Sequence, residues 1–367
     1  MVSYILVFFW TILMITKEQK IDCINYAKAI GIIAVVIGHY KNDMFDVFKP
    51  YMYHMPLFFF IGGILHNDKR SITNSILTTI KKHHFYIVVN YILIGIFIIA
   101  VNNSFGTSLR NPFDESIIGT IKYAVTWNFH SNTLFLVAWF LFAYSLIFVL
   151  FSVMINKITK GKLPIFLISI FLGVIGYYVA VEMYAKSELF YLNLLSQVLV
   201  GSMFYGIGVS IKDRFFSLLN PFAFVVILIA ILTLVKLDYI GTIGMSWSNY
   251  NKGLFNLLFT PVACIYCVFF VSYSLSKSSE FKTLLLIGMN TKSIMSYHLA
   301  AFVILDIFFS YIGKYEISNI SALNHFNTYK VWVIYVLFSI FASIYCEKIC
   351  MHLKDKILAM AKRALLN

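Results

Sequence analysis

Residues 28–39, KAIGIIAVVIGH, form an apolar stretch with an ionisable residue at each end, Lys28 and His39. At 3.6 residues per turn, the steps between them amount to three turns and about 20°, so both side chains lie on one helix face, about 16–17 Å apart along the axis. Ionisable groups inside an apolar segment are a functional-site hypothesis by default. The stretch therefore predicts a membrane helix that carries a cation and a titratable base on one face.

The composition of the whole chain extends this interpretation to many membrane spans. Of the 367 residues, 60% are hydrophobic and 12% are charged, and the mean hydropathy is +0.83. So few polar residues cannot cover the surface of a soluble domain of this size. The sequence also shows no alternation of the kind that a β-barrel needs. We therefore predict an all-α fold, a polytopic integral membrane helical bundle.

Apolar runs that match a bilayer core of about 30 Å predict about ten transmembrane helices. They lie near residues 27–41, 53–66, 85–101, 133–155, 164–182, 189–211, 216–236, 253–275, 293–312 and 329–347. Lys and Arg concentrate on the cytoplasmic side of membrane proteins. With the N-terminus inside, most of the basic residues fall on that side, so both termini are predicted to be cytoplasmic. The net charge of +13 is then explained by topology and contact with anionic lipid, and nucleic-acid binding is excluded.

We predict one transmembrane domain over residues 17–350, followed by a basic cytoplasmic tail over residues 351–367. Residues 1–16 form an uncertain apolar extension, too short for a span and without the cleavage pattern of a signal peptide. It is expected to be an interfacial helix or an artefact of start-codon choice, and the second is favoured because Met14 opens a natural beginning for the first span.

Two histidines near the predicted outer ends of the first two spans are candidate catalytic residues. His39 ends the first span, and His54 precedes Pro56 at the start of the second, so the two imidazoles are expected to lie close together. The unpaired amides at a helix start favour an anionic oxygen nearby. A base beside such a helix end suits acyl transfer. The alternative is that both histidines are interfacial polar groups that face water.

The polar residues of two predicted outer loops suggest contact with sugars. Residues 102–132 and 237–252 are rich in Asn, Ser, Asp, Trp and Tyr, although any exposed loop is polar. Within the spans, Asp306 needs a cation or a hydrogen-bond donor, which the sequence does not identify. No metal site is predicted, because the histidines form no close helical ligand set and the Cys264/Cys267 pair lacks a second pair of ligands.

Several of these residues together resemble a known family. Ile21-Asp22-Cys23, the stretch from Lys28 to His39, and residues 53–63, YHMPLFFFIGG, resemble the opening of the acyltransferase-3 family of membrane acyltransferases. Its sugar O-acetylases, including the fucose 4-O-acetylase-like branch, are the most similar. Trp139-Phe140-Leu141 and residues 287–293, IGMNTKS, with His298, match the family in character. The resemblance covers essentially the whole chain after about residue 17.

The resemblance implies a bacterial inner-membrane enzyme that moves an acetyl group from cytoplasmic acetyl-CoA to a hydroxyl of a cell-surface glycan. The acceptor is then an O-antigen, capsule or exopolysaccharide sugar, or a lipid-linked saccharide. His39 matches the family's essential histidine and acts as general base or as transient acyl acceptor. The family usually has Arg where this chain has Lys28, and Lys keeps the charge but loses the planar fork for bidentate binding.

The expected site then has three parts. His39 and His54 are the predicted catalytic residues. Acetyl-CoA, a co-substrate rather than a permanently bound cofactor, is assigned to Lys28, Asn290, Lys292 and His298, and the acceptor to Trp139, Trp247 and Asn249. Alternatives remain for three of these residues: Lys292 snorkels to the inner interface, His298 is structural, or Trp139 packs within its span.

Two other functional classes are compatible with many spans and scattered buried charges. One is a glycan transporter, or a flippase or polymerase of lipid-linked glycan. Transporters usually contain broken helices in matching halves, and the sequence contains no such repeat. The other is a structural membrane subunit, which leaves Lys28, His39 and His298 buried without a reason. The acyltransferase is favoured over both.

Overall fold

A computed structural model describes residues 15–40, 48–159, 161–278, 280–328 and 331–366, with the backbone alone for residues 350–366. Residues 1–14 of the predicted apolar extension lie outside this part of the chain. Within it, the regular structure is helical, without a β-strand, and one isolated bridge joins Gly244 and Asn249. The predicted all-α fold is therefore confirmed.

The helices follow one another along the whole described chain. The α-helices are α1 (Lys17–Tyr40), α2 (His54–Ile64), α3 (Ile72–Thr78), α4 (Phe85–Phe105), α5 (Ile117–Thr126), α6 (Ala138–Val153), α7 (Lys162–Tyr178), α8 (Ala185–Ser187), α9 (Phe190–Ile211), α10 (Phe215–Leu218), α11 (Pro221–Lys236), α12 (Gly253–Ser278), α13 (Lys282–Met289), α14 (Thr291–Tyr311) and α15 (Trp332–Leu366). Short π-helices occupy Thr79–His84, Met154–Ile158 and Val179–Tyr184, and 3-10 helices occupy Pro50–Met52, Thr133–Phe135, Met245–Trp247 and Ile317–Asn319.

Among the described residues, 8 helices are long and apolar enough to cross a membrane. They are Lys17–Tyr40, Ile72–Phe105, Ala138–Ile158, Lys162–Ser187, Phe190–Ile211, Gly253–Ser278, Thr291–Tyr311 and Trp332–Ile349. Each overlaps a predicted span. The two remaining predicted spans contain α2, with 11 residues, and α11, with 16 residues. The total number of spans and the cytoplasmic position of both termini stay predictions.

Two helix starts differ from the sequence-based expectation. The helix predicted over residues 85–101 begins at Ile72, because the Ser71 side chain caps it by accepting a hydrogen bond from the Asn74 amide and the basic residues that follow remain helical. In the span predicted over residues 133–155, the α-helix begins at Ala138. Hydropathy reports where apolar residues lie and carries no direct information on backbone hydrogen bonds, so it does not predict where a helix begins.

The described chain forms two compact units. Residues 15–38, 48–88 and 139–289 make up the first unit, and residues 39–40, 89–138 and 290–366 make up the second, apart from the positions that the structure does not describe.

The first unit is built around α9, which packs against α7 and α2. Glycines allow α9 and α2 to approach closely. A Cβ atom on Gly63 would lie 1.9 Å from the carbonyl oxygen of Tyr205, and one on Gly208 would lie 2.3 Å from that of Phe60. Small residues at helix contacts are typical of membrane bundles, where close backbone packing replaces the hydrophobic driving force.

An ion-pair network in the first unit joins the ends of three of its helices. Asp68, after α2, accepts a hydrogen bond of 2.8 Å from Lys212 at the end of α9, and its other oxygen lies 3.5 Å from Lys162 of α7. Partial burial alone raises the pKa of Asp68, but the hydrogen bond and charge of Lys212, together with the charge of Lys162, outweigh it and hold the pKa below its usual range.

The second unit is built around α14, which packs along α15. The 3-10 helix Thr133–Phe135 also packs against α14, and the Tyr297 hydroxyl donates a hydrogen bond to the Asn90 side chain of α4. His39 and Tyr40, the last two residues of α1, belong to this unit. It therefore contains both His39 and the helix that carries His298.

Candidate active site

The centre of the candidate active site is a pair of hydrogen-bonded histidines in the second unit. Nδ1 of His39 lies 2.7 Å from Nε2 of His298, although 259 positions separate the two residues in the sequence. The two rings are nearly parallel, with an interplanar angle of 12° and centroids 5.0 Å apart. His298 is fully buried and His39 is half-buried. One imidazole of the pair is thus held inside the protein, and the other reaches the surface.

Hydrogen bonds to the backbone determine which ring nitrogens carry protons. Nδ1 of His298 lies 2.8 Å from the carbonyl oxygen of Ile294 and 3.0 Å from that of Met295. Because a carbonyl oxygen only accepts, this nitrogen carries the proton, and Nε2 of the neutral ring is an acceptor. His39 therefore donates from Nδ1, which leaves the lone pair of the neutral His39 ring on Nε2.

This arrangement suits a general base. In catalytic triads, a second group fixes the tautomer and orientation of the reactive imidazole and stabilises the imidazolium that forms. Here His298 occupies the position of that second group, and its own orientation is fixed by helix carbonyls. The sequence analysis assigned His298 to the acetyl-CoA site. The geometry also suits a role in positioning His39, and contact of His298 with acetyl-CoA stays a prediction.

Asp306, for which the sequence identifies no partner, lies in a buried cluster of donors in the same unit. One carboxylate oxygen accepts a hydrogen bond of 2.7 Å from Nδ1 of His325, and the other accepts from the Phe326 amide at 3.0 Å and the Tyr335 hydroxyl at 2.5 Å. The side chains of Asp306 and His325 are both 0% exposed. Sequence reasoning missed His325 and Tyr335, because they lie 19 and 29 positions away and neither has a spacing that indicates a pair.

The Asp306 cluster reaches the end of α1. The Tyr40 hydroxyl donates to the carbonyl oxygen of Phe326 at 2.9 Å, and the Tyr40 ring lies 4.8 Å from that of Tyr335 and 6.1 Å from that of His325. Tyr40 directly follows His39 in the chain. The cluster therefore anchors the backbone that carries the candidate base.

His54, the other predicted catalytic residue, belongs to the first unit. Its Nδ1 lies 2.6 Å from the carbonyl oxygen of Pro50, so this nitrogen is the donor, and the residue is buried. Nε2 of the neutral ring then has no proton to donate. His54 can hydrogen-bond an oxyanion through Nε2 only in its protonated form. The residue that the structure pairs with His39 is His298, and a catalytic role for His54 stays a prediction.

The residues predicted to bind acetyl-CoA occupy two helices. Lys28 and His39 lie on one continuous α-helix, as the sequence predicts, and Lys28 is half-buried with its Nζ 3.4 Å from Oδ1 of Asn25. Asn290 precedes α14 without capping it through its side chain, and Lys292 is the second residue of that helix. Both are half-buried. Contact of these residues with acetyl-CoA stays a prediction.

The residues predicted to bind the acceptor differ in their exposure. Trp139, near the start of α6, is buried, with its ring 6.1 Å from that of Phe140 in an edge contact. Trp247 is 49% exposed and Asn249 is also exposed. They lie in a turn closed by two backbone hydrogen bonds of 2.9 Å between Gly244 and Asn249. A fixed turn with an exposed indole ring is compatible with sugar stacking, which stays a prediction.

Comparison with known families identifies the family to which the chain belongs. The model of the acyltransferase domain Acyl_transf_3 matches residues 21–348, a range that includes every predicted site residue. The chain belongs to the acyltransferase-3 family. No curated protein and no solved structure match it. As an acyltransferase-3 member with 8 long apolar helices among its described residues, the protein is a multi-pass membrane acyltransferase. The predicted family is confirmed, and the sugar O-acetylase branch stays a prediction.

Proposed function

We propose that this acyltransferase-3 member transfers an acetyl group from acetyl-CoA to a hydroxyl of a cell-surface glycan, with His39 as the general base. The observation that carries the proposal is the 2.7 Å hydrogen bond from His39 to His298, whose other ring nitrogen donates to the Ile294 carbonyl. Both bonds favour a neutral His39 with its lone pair on Nε2, which is the form that accepts a proton from an alcohol.

In the direct route, Nε2 of His39 takes the proton of the acceptor hydroxyl as the hydroxyl oxygen attacks the thioester carbon of acetyl-CoA. The C–S bond then breaks, the sugar ester forms, and the proton passes from His39 to the departing thiolate to give CoA. In the alternative route, Nε2 attacks the thioester carbon, the C–S bond breaks and CoA departs as the thiolate. The acceptor hydroxyl oxygen then attacks the acetyl carbon, the C–N bond to the imidazole breaks, and the hydroxyl proton is left to neutralise the thiolate. His298 accepts the hydrogen bond from His39 in both routes.

The remaining predicted residues complete the proposed site. Lys28 and Lys292 supply positive charge for the phosphates or carbonyl groups of acetyl-CoA, and Asn290 supplies a neutral hydrogen-bonding side chain beside Lys292. Trp139, Trp247 and Asn249 contact the sugar through stacking and hydrogen bonds. The candidates for stabilising the oxyanion of the tetrahedral intermediate are His54, Asn290 and the backbone amides at the start of α2.

The test is to measure ester-linked acetyl groups on surface glycan from cells that produce each variant at matched levels in the membrane. His39→Ala should remove the acetyl groups. His298→Phe removes the acceptor for His39 Nδ1 and should lower the transfer rate by about 100-fold or more, whereas His298→Gln keeps an acceptor oxygen and should retain more activity. His84→Ala is the control, because His84 bonds Ser145 within the first unit and is not among the predicted site residues.

Three outcomes would contradict separate parts of the proposal. Acetylation that persists in His39→Ala contradicts the catalytic role of His39. Equal activity of His298→Phe and His298→Gln contradicts the role of His298 as an acceptor. If wild-type cells carry no ester-linked acetyl on any surface glycan, the donor or acceptor assignment is wrong, while membership of the acyltransferase family is unaffected.

A further inference from the structure

Residues 127–135 bring irregular backbone deep into the second unit. The side-chain amide of Asn132 donates a hydrogen bond of 3.1 Å to the carbonyl oxygen of Tyr91, in α4. Tyr91 lies within the candidate membrane span Ile72–Phe105. Beside such a span, irregular backbone is tolerated only where it is buried in protein or lines a water-filled cavity. Discontinuous segments of this kind form binding sites in membrane transporters.

The segment buries polar side chains beside the apolar Phe129, Leu134 and Phe135. Ser131 and Asn132 are both 0% exposed, and Asn128 and His130 are nearly as buried. Its backbone is strained as well, because Asn128 and Phe129 have φ values of 47° and 65°. A left-handed conformation is unfavourable for a residue as bulky as Phe, and such strain is often found at binding sites.

Oδ1 of Asn132 and Oγ1 of Thr133 are buried without a hydrogen-bond partner among the described residues. The bond from Asn132 Nδ2 to Tyr91 fixes the orientation of the amide, so Oδ1 is the atom left without a donor. Asn132 also precedes the 3-10 helix Thr133–Phe135, where Asn commonly caps the helix, but its side chain makes no such bond. Buried acceptors without donors are rare and unfavourable, so a donor from outside the protein is expected here.

The same segment adjoins the helix that carries His298. Thr133–Phe135 packs against α14. Asn90, the neighbour of Tyr91, accepts a hydrogen bond from Tyr297, which directly precedes His298. The segment 127–135, WNFHSNTLF, contains no Asp, Glu, Lys or Arg. It therefore suits neutral hydrogen-bond donors and not phosphate groups.

We propose that Oδ1 of Asn132 and Oγ1 of Thr133 form a substrate subsite that accepts hydrogen bonds from neutral hydroxyl or amide N–H groups. This proposal rests on the proposed function, which supplies two sources of such donors: the hydroxyls of the acceptor sugar and the amide N–H groups of the pantetheine arm of acetyl-CoA. Both must come close to His39 during transfer.

The experiment uses the full chain in lipid nanodiscs, with Thr133→Val as the main variant because it removes the hydroxyl and keeps the shape. Thr133→Ser restores the hydroxyl, and Asn132→Leu removes the second acceptor. Thr107→Val is the matched control, since the buried Thr107 hydroxyl already donates to Asn102 within the same unit. Acetyl-CoA binding is measured by calorimetry, and binding of a panel of methyl glycosides by saturation-transfer NMR.

If the pantetheine arm is the donor, Thr133→Val and Asn132→Leu should weaken acetyl-CoA binding by about fivefold, as expected for one lost hydrogen bond. If the sugar is the donor, acetyl-CoA binding stays unchanged and the glycoside signals fall instead. In both cases Thr133→Ser and Thr107→Val should resemble wild type. Unchanged binding of both probes in folded Thr133→Val overturns the subsite and indicates that water satisfies the two oxygens. Failure of wild type to bind acetyl-CoA contradicts the proposed function instead.

Discussion

At the scale of single residues, the partner of each buried polar group decides what that group can do. His39 and His298 share one hydrogen bond, and the backbone contact of His298 leaves the lone pair of His39 on Nε2. Asp306 has only donors around it, so its oxygens are satisfied and it is a structural anchor. Two buried groups in one unit thus have different roles because their hydrogen-bond partners differ.

Asp306→Asn should strongly destabilise the protein. The amide would turn one of its NH2 protons toward a group that is itself a donor, and His325 would lose its carboxylate partner in a fully buried site. Removing one member of a buried pair lowers the free energy of unfolding by about 3–5 kcal/mol. Thermal or chemical unfolding of purified protein in detergent measures the change.

The matched control for Asp306→Asn is Glu182→Gln. Glu182 pairs with Lys186 at 2.5 Å, but both side chains are largely exposed. Exposed ion pairs contribute little to stability, so the free energy of unfolding should change by no more than about 0.5 kcal/mol. Equal effects of the two substitutions would show that the buried cluster does not anchor this part of the second unit.

At the scale of helices, close packing depends on positions where no side chain fits. The contact between α2 and α9 places Gly63 against the Tyr205 backbone and Gly208 against the Phe60 backbone. The neighbouring atoms are carbonyl oxygens of helix backbone, which cannot move aside as the end of a flexible side chain can. This contact should therefore tolerate substitution poorly.

Gly63→Ala should separate α2 from α9 and lower the free energy of unfolding by about 1–3 kcal/mol, as in other overpacked cores. Gly241→Ala in the same unit is the control, because the nearest side-chain atom to a Cβ there, on Lys252, is 3.7 Å away. Thermal unfolding in detergent compares the two variants. A Gly63→Ala protein as stable as Gly241→Ala would mean that the two helices are not held as closely as the structure shows.

At the scale of the whole molecule, orientation in the membrane is predicted by charge. Basic residues concentrate in the segments that lie inside if the N-terminus is cytoplasmic. Lys69 and Lys186 are both exposed and fall on opposite predicted sides. The family match extends over both compact units, from residue 21 to residue 348.

Lys186→Cys should react with a membrane-impermeant maleimide in intact cells, whereas Lys69→Cys should react only after the membrane is made permeable. Among the described native cysteines, Cys23, Cys264 and Cys267 are buried and Cys346 is half-buried, and the labelling of wild type measures the background from all native thiols. Gel-shift labelling of the two variants reads out the orientation. The reverse pattern would place the N-terminus outside and overturn the predicted topology.

Local sequence was sufficient for the fold class and the family. Apolar runs are a property of neighbouring residues, so the all-α membrane fold follows from them, and Lys28 and His39 share one helix as their spacing predicts. The same runs do not predict where α6 begins, because hydropathy does not distinguish an α-helix from irregular backbone that is buried among helices. The strained segment around Asn128 and Phe129 lies in the predicted loop 102–132 and is irregular in the structure.

Only the tertiary structure decided which distant polar groups meet. His298 was a candidate by resemblance, but its hydrogen bond to His39 joins residues 259 positions apart, and no sequence spacing encodes such a contact. The partners of Asp306 were likewise hidden in the loop and helix that follow it. Hydropathy drives each helix into the membrane on its own, whereas hydrogen bonds between side chains depend on how the helices and their connecting segments then pack.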